Sequence, residues 1–542
     1  MTKLIQHTPG GLRKLYRSSR RHYESMTKLC RLVRPLYEFF KERVTPEQAE
    51  QEIRKALLTR ERRFLDLIRA QVYERPTSPY ARLLQYAGCD FADLQSEIHK
   101  KGLDSVLEHL ARAGVYITAA EFKGKSPLRR GNLSLRLSPA DFEMKSTSAI
   151  NVESSGTTGT PVLASLTLDY LKIHTYGMAA FFDAHDLLAH SHPVYDSVLP
   201  TGTGSVVWLL AYARLGIMTD RWFARAIPGD VPYGSSYDRL TTSLMVALGK
   251  LIGPGFPKPE KLDISDVENI VSWISERKRE GKSCCIRATS SNVARIARVA
   301  LNKGISLENA VFVAGGEPVT EGKRRLIERA SARMISRYTF TEAGVAGFGC
   351  ANPTFTDDVH VNEYMLGVVH HPDLPIEDGS PVRPLLFTSL YPSSSHLLLN
   401  VANGDHAFMN RNACGCALEK VGLTLHLHGI GSYEKLNAEG MNYLGTGLFE
   451  LFEITLPDEF GGTPGDYQLV EEENENSQTH LTIRVSPEVG LLDEERLICR
   501  VHESLGKGLY TKFWKDAKTF RVRREFPYAG RRGKVWPLHR MS

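Results

Sequence analysis

Between about residues 148 and 430, short apolar runs of β character alternate with amphipathic helical patterns, and this order restricts the possible folds more than any other feature. The β-type runs cover 194–199, 285–288, 310–313 and 385–390, and the helical patterns cover 169–188, 267–278, 293–301 and 322–332. Parallel strands need long crossover connections, which helices supply, so the alternation predicts an α/β domain with a substantially parallel sheet. After Gly440 the character changes. Runs at 467–471 and 479–485 around an acidic turn read as a hairpin, followed by a helix at 494–505 and a strand at 517–523. That is enough for a separate small α+β module.

Upstream, residues 12–74 are helical in pattern, with Thr45-Pro46 marking a fresh helix start and Arg75-Pro76-Thr77-Ser78-Pro79 breaking it. A chain of 542 residues exceeds one ordinary core. The expected division is therefore a basic helical extension at 1–75, a large domain at 76–431 and a small domain at 432–542. The net charge of +6 is uneven, since residues 1–75 carry 18 Lys and Arg against 9 Asp and Glu, leaving the remainder at −3. This basic segment could attract nucleic acid, an acidic carrier protein or an anionic surface. Equally, Leu29, Leu32, Val33, Leu36, Phe39 and Phe40 recur at near-helical spacing, the pattern of a solvated amphipathic helix pair. No apolar run reaches membrane-spanning length, and the N-terminus lacks a signal-peptide core. Eight cysteines without regular spacing do not form a disulfide framework, so a cytoplasmic location is expected.

Four motifs carry the chemistry. Ser154-Ser155-Gly156-Thr157-Thr158-Gly159-Thr160 combines glycines, which let backbone approach an anion, with hydroxyl donors. Alone it could be a flexible turn, and it is not a Walker A loop, because Pro161-Val162 stands where Lys-Ser/Thr would follow. Gly315-Gly316-Glu317-Pro318 follows the apolar run Val311-Phe312-Val313, at the end of an expected strand where α/β sheets bind ligands. Tyr338-Thr339-Phe340-Thr341-Glu342 offers an aromatic face, hydroxyls and a carboxylate, and Asn403-Gly404-Asp405 places an acid at a turn suited to a ribose diol.

In this order the four motifs resemble those of the adenylate-forming acyl-CoA ligase superfamily, and within it the phenylacetate-CoA ligase and acyl-protein synthetase branch. The resemblance extends from Ser78-Pro79-Tyr80 to the C-terminal pair Gly533-Lys534, over about residues 76–542. It implies a large N-terminal α/β domain of adenylate-forming type and a small mobile α+β C-terminal domain. It also implies ATP-dependent activation of a carboxylic acid as an acyl-adenylate, with pyrophosphate released, then acyl transfer to a thiol, with coenzyme A as co-substrate or else a carrier protein or reductase partner. The loop Ser154 to Thr160 would hold pyrophosphate, while Glu342 with Thr158 or Thr341 would position magnesium. Tyr338 would stack on adenine beside the Gly315-Gly316-Glu317 turn, Asp405 would bind ribose, and Lys534 would neutralise charge at the α-phosphate. Two departures stand out. Thr339 replaces the glycine usual after the tyrosine, and Gly429-Ile430-Gly431-Ser432-Tyr433-Glu434-Lys435 lacks the arginine usual at the family's pivot.

Cys350, His360, Cys414 and Cys416 form a Cys3His set whose Cys-Gly-Cys turn lets two sulfurs face one ion, as in a closed structural zinc site. Four buried groups without metal would have the same composition. Tyr176, Phe181, Phe182, Trp208 and Tyr212, with the segment 200–205, are candidates for an acyl pocket or simply for core. A non-catalytic ATP- or nucleic-acid-binding protein is the alternative of another class. The intact Glu342, Asp405 and Lys534 argue against it, nucleic acid is not the expected partner, and no Gly-x-Ser-x-Gly points to a serine hydrolase.

Overall fold

The computed structural model describes residues 33–144, 149–153, 163–196, 198, 203–224, 236–251, 255–262, 267–371, 383–391, 396–432, 437–438, 441–442, 447–473, 479–505, 520–529 and 533–540. Its helices used below are α1 (Pro46–Leu58), α2 (Leu168–Ala184), α3 (Thr203–Leu215), α4 (Glu268–Arg279), α5 (Ser290–Asn302), α6 (Glu321–Arg329) and α7 (Glu494–Leu505). The strands of the central sheet are β1 (Val194–Tyr195), β2 (Trp222–Ala224), β3 (Pro259–Lys261), β4 (Cys284–Ala288), β5 (Ala310–Gly315) and β6 (Arg333–Phe340). They continue with β7 (Gly344–Gly349), β8 (Val359–Val361), β9 (Leu366–His370), β10 (Pro384–Ser389), β11 (Val401–Arg411) and β12 (Leu425–Ser432).

These twelve strands lie in the order β9-β10-β11-β12-β8-β7-β6-β5-β4-β1-β2-β3. From β6 to β3 every pairing is parallel, as the helix and strand alternation predicts. From β6 to β9 every pairing is antiparallel, so the run at 385–390 is a strand but not a parallel one. At the switch the connection is short: β6 and β7 are joined by the three-residue turn Thr341-Glu342-Ala343, too short for a crossover.

Strand alternation assigns the two faces of the parallel half. Cys284, Ile286, Phe312 and Ala314 pack with Ile270, Trp273, Val293, Ile296 and Leu326 of α4, α5 and α6. Cys285, Val311, Val313 and Ile335 point the other way, into a core shared with Phe181, Phe182, Trp208 and Tyr212 of α2 and α3. The aromatic residues considered for an acyl pocket are thus mostly buried against this second face.

The basic N-terminal segment is tied to the same core. Leu36, Phe39 and Phe40 are buried, and with Ile53, Phe64 and Ile68 they join the cluster that contains Phe181 and Leu427. Phe40 meets Phe256 edge-on at 5.5 Å, and Glu42 accepts from Lys172 and Arg214. Helix α1 begins where expected, capped reciprocally by Thr45 and Gln48 with Pro46 in its first turn. The described part of residues 1–75 therefore has its apolar face covered and no core of its own.

The C-terminal module has a separate core, in which Leu469, Leu481, Ile483, Leu497 and Val501 are completely buried. Its sheet runs β15 (Phe520–Arg524), β14 (Thr479–Val485), β13 (Tyr467–Glu473) and β16 (Leu538–Arg540). The expected hairpin, helix and strand are all present. The last strand, β16, escaped the sequence reading because three residues carry no period. Against the large domain this module places a buried ion pair, Lys323 Nζ to Glu453 at 2.9 Å, with side chains 2% and 4% exposed, and Thr320 also donates to Glu453. Arg298 of α5 reaches Asp466 and Glu488. No helix among the described residues is long and apolar enough to cross a membrane.

Leaving one member of a buried pair uncompensated is expensive. Glu453→Gln is expected to destabilise the folded chain by about 3 kcal/mol in urea denaturation, whereas Glu453→Leu with Lys323→Met recovers most of that loss.

Candidate functional site

The site is built at the C-terminal end of the parallel strands, where β5, β6 and the docked C-terminal module meet. After Gly315 the chain turns sharply. Gly316 has φ of +76°, a conformation that favours glycine, and a Cβ on Gly315 would lie 2.3 Å from the carbonyl oxygen of Arg337. Gly315 is thus required by backbone proximity and Gly316 by its φ. Lys534 of the C-terminal module donates from Nζ to the Gly316 carbonyl. Its neighbour Gly533 has φ of +73° and sits so close to Asn292 that a Cβ would meet its side-chain oxygen at 2.5 Å. Val535 follows, and its N–H donates to Ser291 Oγ at 3.2 Å.

Glu317, grouped with the nucleotide ligands in the sequence reading, has a different position. Its carboxylate accepts from the Ser291 N–H at 2.7 Å and the Ser291 hydroxyl at 2.8 Å, capping the first turn of α5. Ser291 therefore bridges Glu317 and the segment that carries Lys534. Sequence reasoning missed it, although Thr289-Ser290-Ser291-Asn292 directly after an apolar β run is a helix-start signature.

Tyr338 and Asp405 are brought together across the sheet. The Tyr338 hydroxyl donates to Asp405 Oδ2 at 2.8 Å, and Asn403 Nδ2 lies 2.8 Å from that hydroxyl and 2.9 Å from the same carboxylate oxygen. Burial first, and Asp405 second, push the Tyr338 phenol well above its ordinary range, so it remains a donor. Asp405 was expected at a turn. It lies instead inside β11, paired with Ser432 of β12, where Gly404 has φ of +91° and the register with β12 shifts between His406 and Phe408. Thr341 and Glu342 occupy the turn after β6, and Glu342 lines a crevice with Phe122, Lys123, Phe340 and Asn403. Glu342 thus shares this crevice with Asn403, which bonds both Tyr338 and Asp405.

The residues Ser154, Ser155, Gly156, Thr157, Thr158, Gly159 and Thr160 lie outside the described residues. Their flanks are described: strands Ala149–Glu153 and Leu163–Thr167 pair antiparallel, with Glu153 opposite Leu163. The pivot residues Tyr433, Glu434 and Lys435 also lie outside.

Cys350, His360, Cys414 and Cys416 converge. One ligand atom from each lies within 4.8 Å of the others, and His360 Nε2 is 3.6 Å from Cys414 Sγ and 3.1 Å from Cys416 Sγ. The His360 Nδ1 is 2.6 Å from the Leu423 carbonyl, which assigns the proton to Nδ1 and leaves Nε2 as a ligand atom. Gly415, at φ of +73°, permits the turn between the two later cysteines. The hydrogen bond shared by Cys350 and Cys416 pulls the Cys416 thiol down and pushes that of Cys350 up. Donor type, spacing and imidazole orientation all fit a metal ion.

No protein-family model matches this sequence, and no curated protein does. Solved structures resemble it in fold. A 2-hydroxyisobutyryl-CoA ligase in the postadenylation state with R3-HIB-AMP superposes with a TM-score of 0.55 at 13% identity, covering 92% of this chain and 91% of that one. The same ligase with 2-HIB-AMP gives a TM-score of 0.52 at 13% identity over the same shares. The chain has the adenylate-forming fold.

The Ser291 bridge has a measurable value. Ser291→Ala removes the hydroxyl's hydrogen bonds to Glu317 and Val535 while the backbone bond to Glu317 stays, and is expected to lower stability by about 1–3 kcal/mol in urea denaturation, because the buried Val535 N–H loses its acceptor.

Proposed function

We propose that this chain activates a carboxylic acid with ATP and passes the acyl group to the thiol of coenzyme A. The observation that carries this reading is the docking of Lys534 on Gly316, one residue from the strand pairing that sets Arg337 and Tyr338 of β6 beside Gly315. The same strand β6 carries Tyr338, which bonds Asp405, and Glu342 stands in the turn that follows it. The fold shared with a CoA ligase that holds an acyl-AMP supports the same reaction class.

In the first step a carboxylate oxygen attacks the α-phosphorus of ATP, the bond to the bridging oxygen breaks, and pyrophosphate leaves. Two anions approach each other, so the site must offset charge as the transition state forms. Lys534 would do this from the C-terminal module. Asp405, oriented by Tyr338 and Asn403, would accept from the ribose hydroxyls, and Tyr338 would give adenine a flat neighbour. Glu342, with Thr341 and Thr158, offers oxygen ligands of the kind magnesium takes when it accompanies a nucleotide. The hydroxyl-rich loop from Ser154 to Thr160 would hold the departing pyrophosphate. In the second step a thiol sulfur attacks the carbonyl carbon, AMP leaves, and the thiol proton passes to solvent. Lys534 has no part in that step, and its module would have to undock from Gly316 to admit the thiol.

The Cys3His cluster fits structural zinc, and the phenylacetate-CoA ligase-like branch is the part of the superfamily in which the sequence resemblance expects it. Cys350 directly follows β7 and Cys414 follows β11, so zinc would tie the strand after Glu342 to the strand that carries Asp405.

Carboxylate-dependent exchange of pyrophosphate into ATP tests the first step. One class of acid is expected to support exchange, and Lys534→Ala is expected to reduce it by about 100-fold or more; exchange that no acid stimulates ends this reading. Elemental analysis of the purified chain is expected to find one equivalent of zinc, lost in Cys416→Ser together with thermal stability.

A further inference from the structure

On the face of β6 opposite Tyr338 lies a cation that makes no ion pair among the described residues. Arg337 is 8% exposed, and among the described residues no carboxylate forms an ion pair with it and its Nη1 has no hydrogen-bond acceptor. Its guanidinium rests on the Trp208 ring, 4.9 Å from the centroid. Arg287 of β4 approaches the same ring, 5.9 Å from its centroid, and is held by Asp196 at 2.7 Å. Two cations thus share one acid. Around them other buried polar atoms lack partners: both ring nitrogens of His174, which is 0% exposed, and Trp208 Nε1. His174 is held neutral, pushed down to about 3 by burial first and Arg337 second. It therefore offers a donor and adds no compensating charge.

Two cations sharing a single acid, with unmatched donors around them, are a poor way to fill a core. Apolar residues would pack the same space at lower cost, as Ile335 does two residues earlier on the same face. Position adds to the case. Arg337 is the strand partner of Gly315, so its backbone adjoins the turn on which Lys534 docks, while alternation sends its side chain toward α2 and α3, away from Asp405.

We propose that Arg337, backed by Arg287, forms an anion subsite, and that the acid activated here carries a second negative group at the end remote from its reacting carboxylate. The proposal rests on the activation reading for the word "activated", and on the buried guanidinium for the subsite itself. A carboxylate suits the planar fork of arginine best, and a phosphonate presents the same charge with different geometry.

Matched pairs of linear acids, methyl-terminated and ω-carboxylate, with an ω-phosphonate arm, are compared on the full chain in two measurements. Pyrophosphate exchange is expected to favour the ω-carboxylate acid over its methyl-terminated partner by about 100-fold in kcat/KM, with Arg337→Met abolishing the preference. Thermal melting without ATP is expected to show stabilisation by the dianion that Arg337→Met loses. Arg337→Lys, which keeps the charge without the fork, should retain part of both effects and serves if the Met variant does not fold. Exchange with methyl-terminated acids that is equal or better in the wild type overturns the subsite while the activation reading stands. Arg337-dependent melting shifts without exchange by any acid keep the subsite and overturn activation. No exchange and no shift overturn both.

Discussion

The docking of the C-terminal module on the end of β5 is the contact on which the site depends. Lys534 donates to the Gly316 carbonyl, Val535 bonds through Ser291 to Glu317, and the Lys323–Glu453 pair is buried at the start of α6. Each element relies on another. Gly316 presents its carbonyl because its φ is positive, Glu317 is held by the first turn of α5, and Gly533 is required because Asn292 leaves no room for a Cβ. A cation on a flexible stem acquires a defined address through backbone that has little freedom to move.

The two faces of β6 divide the chemistry. Tyr338 turns toward Asp405 and Asn403 in a compact hydrogen-bonded set, where every group has a partner. Arg337 turns the other way, into an aromatic environment where partners are scarce. Period-two alternation makes this possible, since adjacent residues of one strand can serve two different compartments. The contrast is physical. One face has its polar groups satisfied within the fold, and the other holds charge and donors that only something from outside the described protein groups could match.

Much of the architecture was legible because its signals are local. The runs at 285–288 and 310–313 became β4 and β5, the pattern at 494–505 became α7, and Thr45-Pro46 started α1, since periodicity and capping depend only on near neighbours. The strand at 385–390 was legible too, but its direction was not, because pairing depends on the length of connections and on distant partners. The basic charge of residues 1–75 was visible. That Phe39 and Phe40 enter the main core was not, since an apolar helical face does not name what covers it.

The sequence alone determined which chemical groups exist and in what order: the glycine turn, the Tyr338 to Glu342 block, Asp405, the Cys3His set and a terminal Gly-Lys. Composition and spacing are properties of a chain, and these are readable without coordinates. Tertiary structure alone decided that Lys534 meets Gly316 across 218 positions, that Glu317 is occupied by Ser291, and that Arg337 is buried with no ion pair among the described residues. Those outcomes depend on how separate elements pack, and the desolvation of a charge is set by everything around it rather than by its neighbours in sequence.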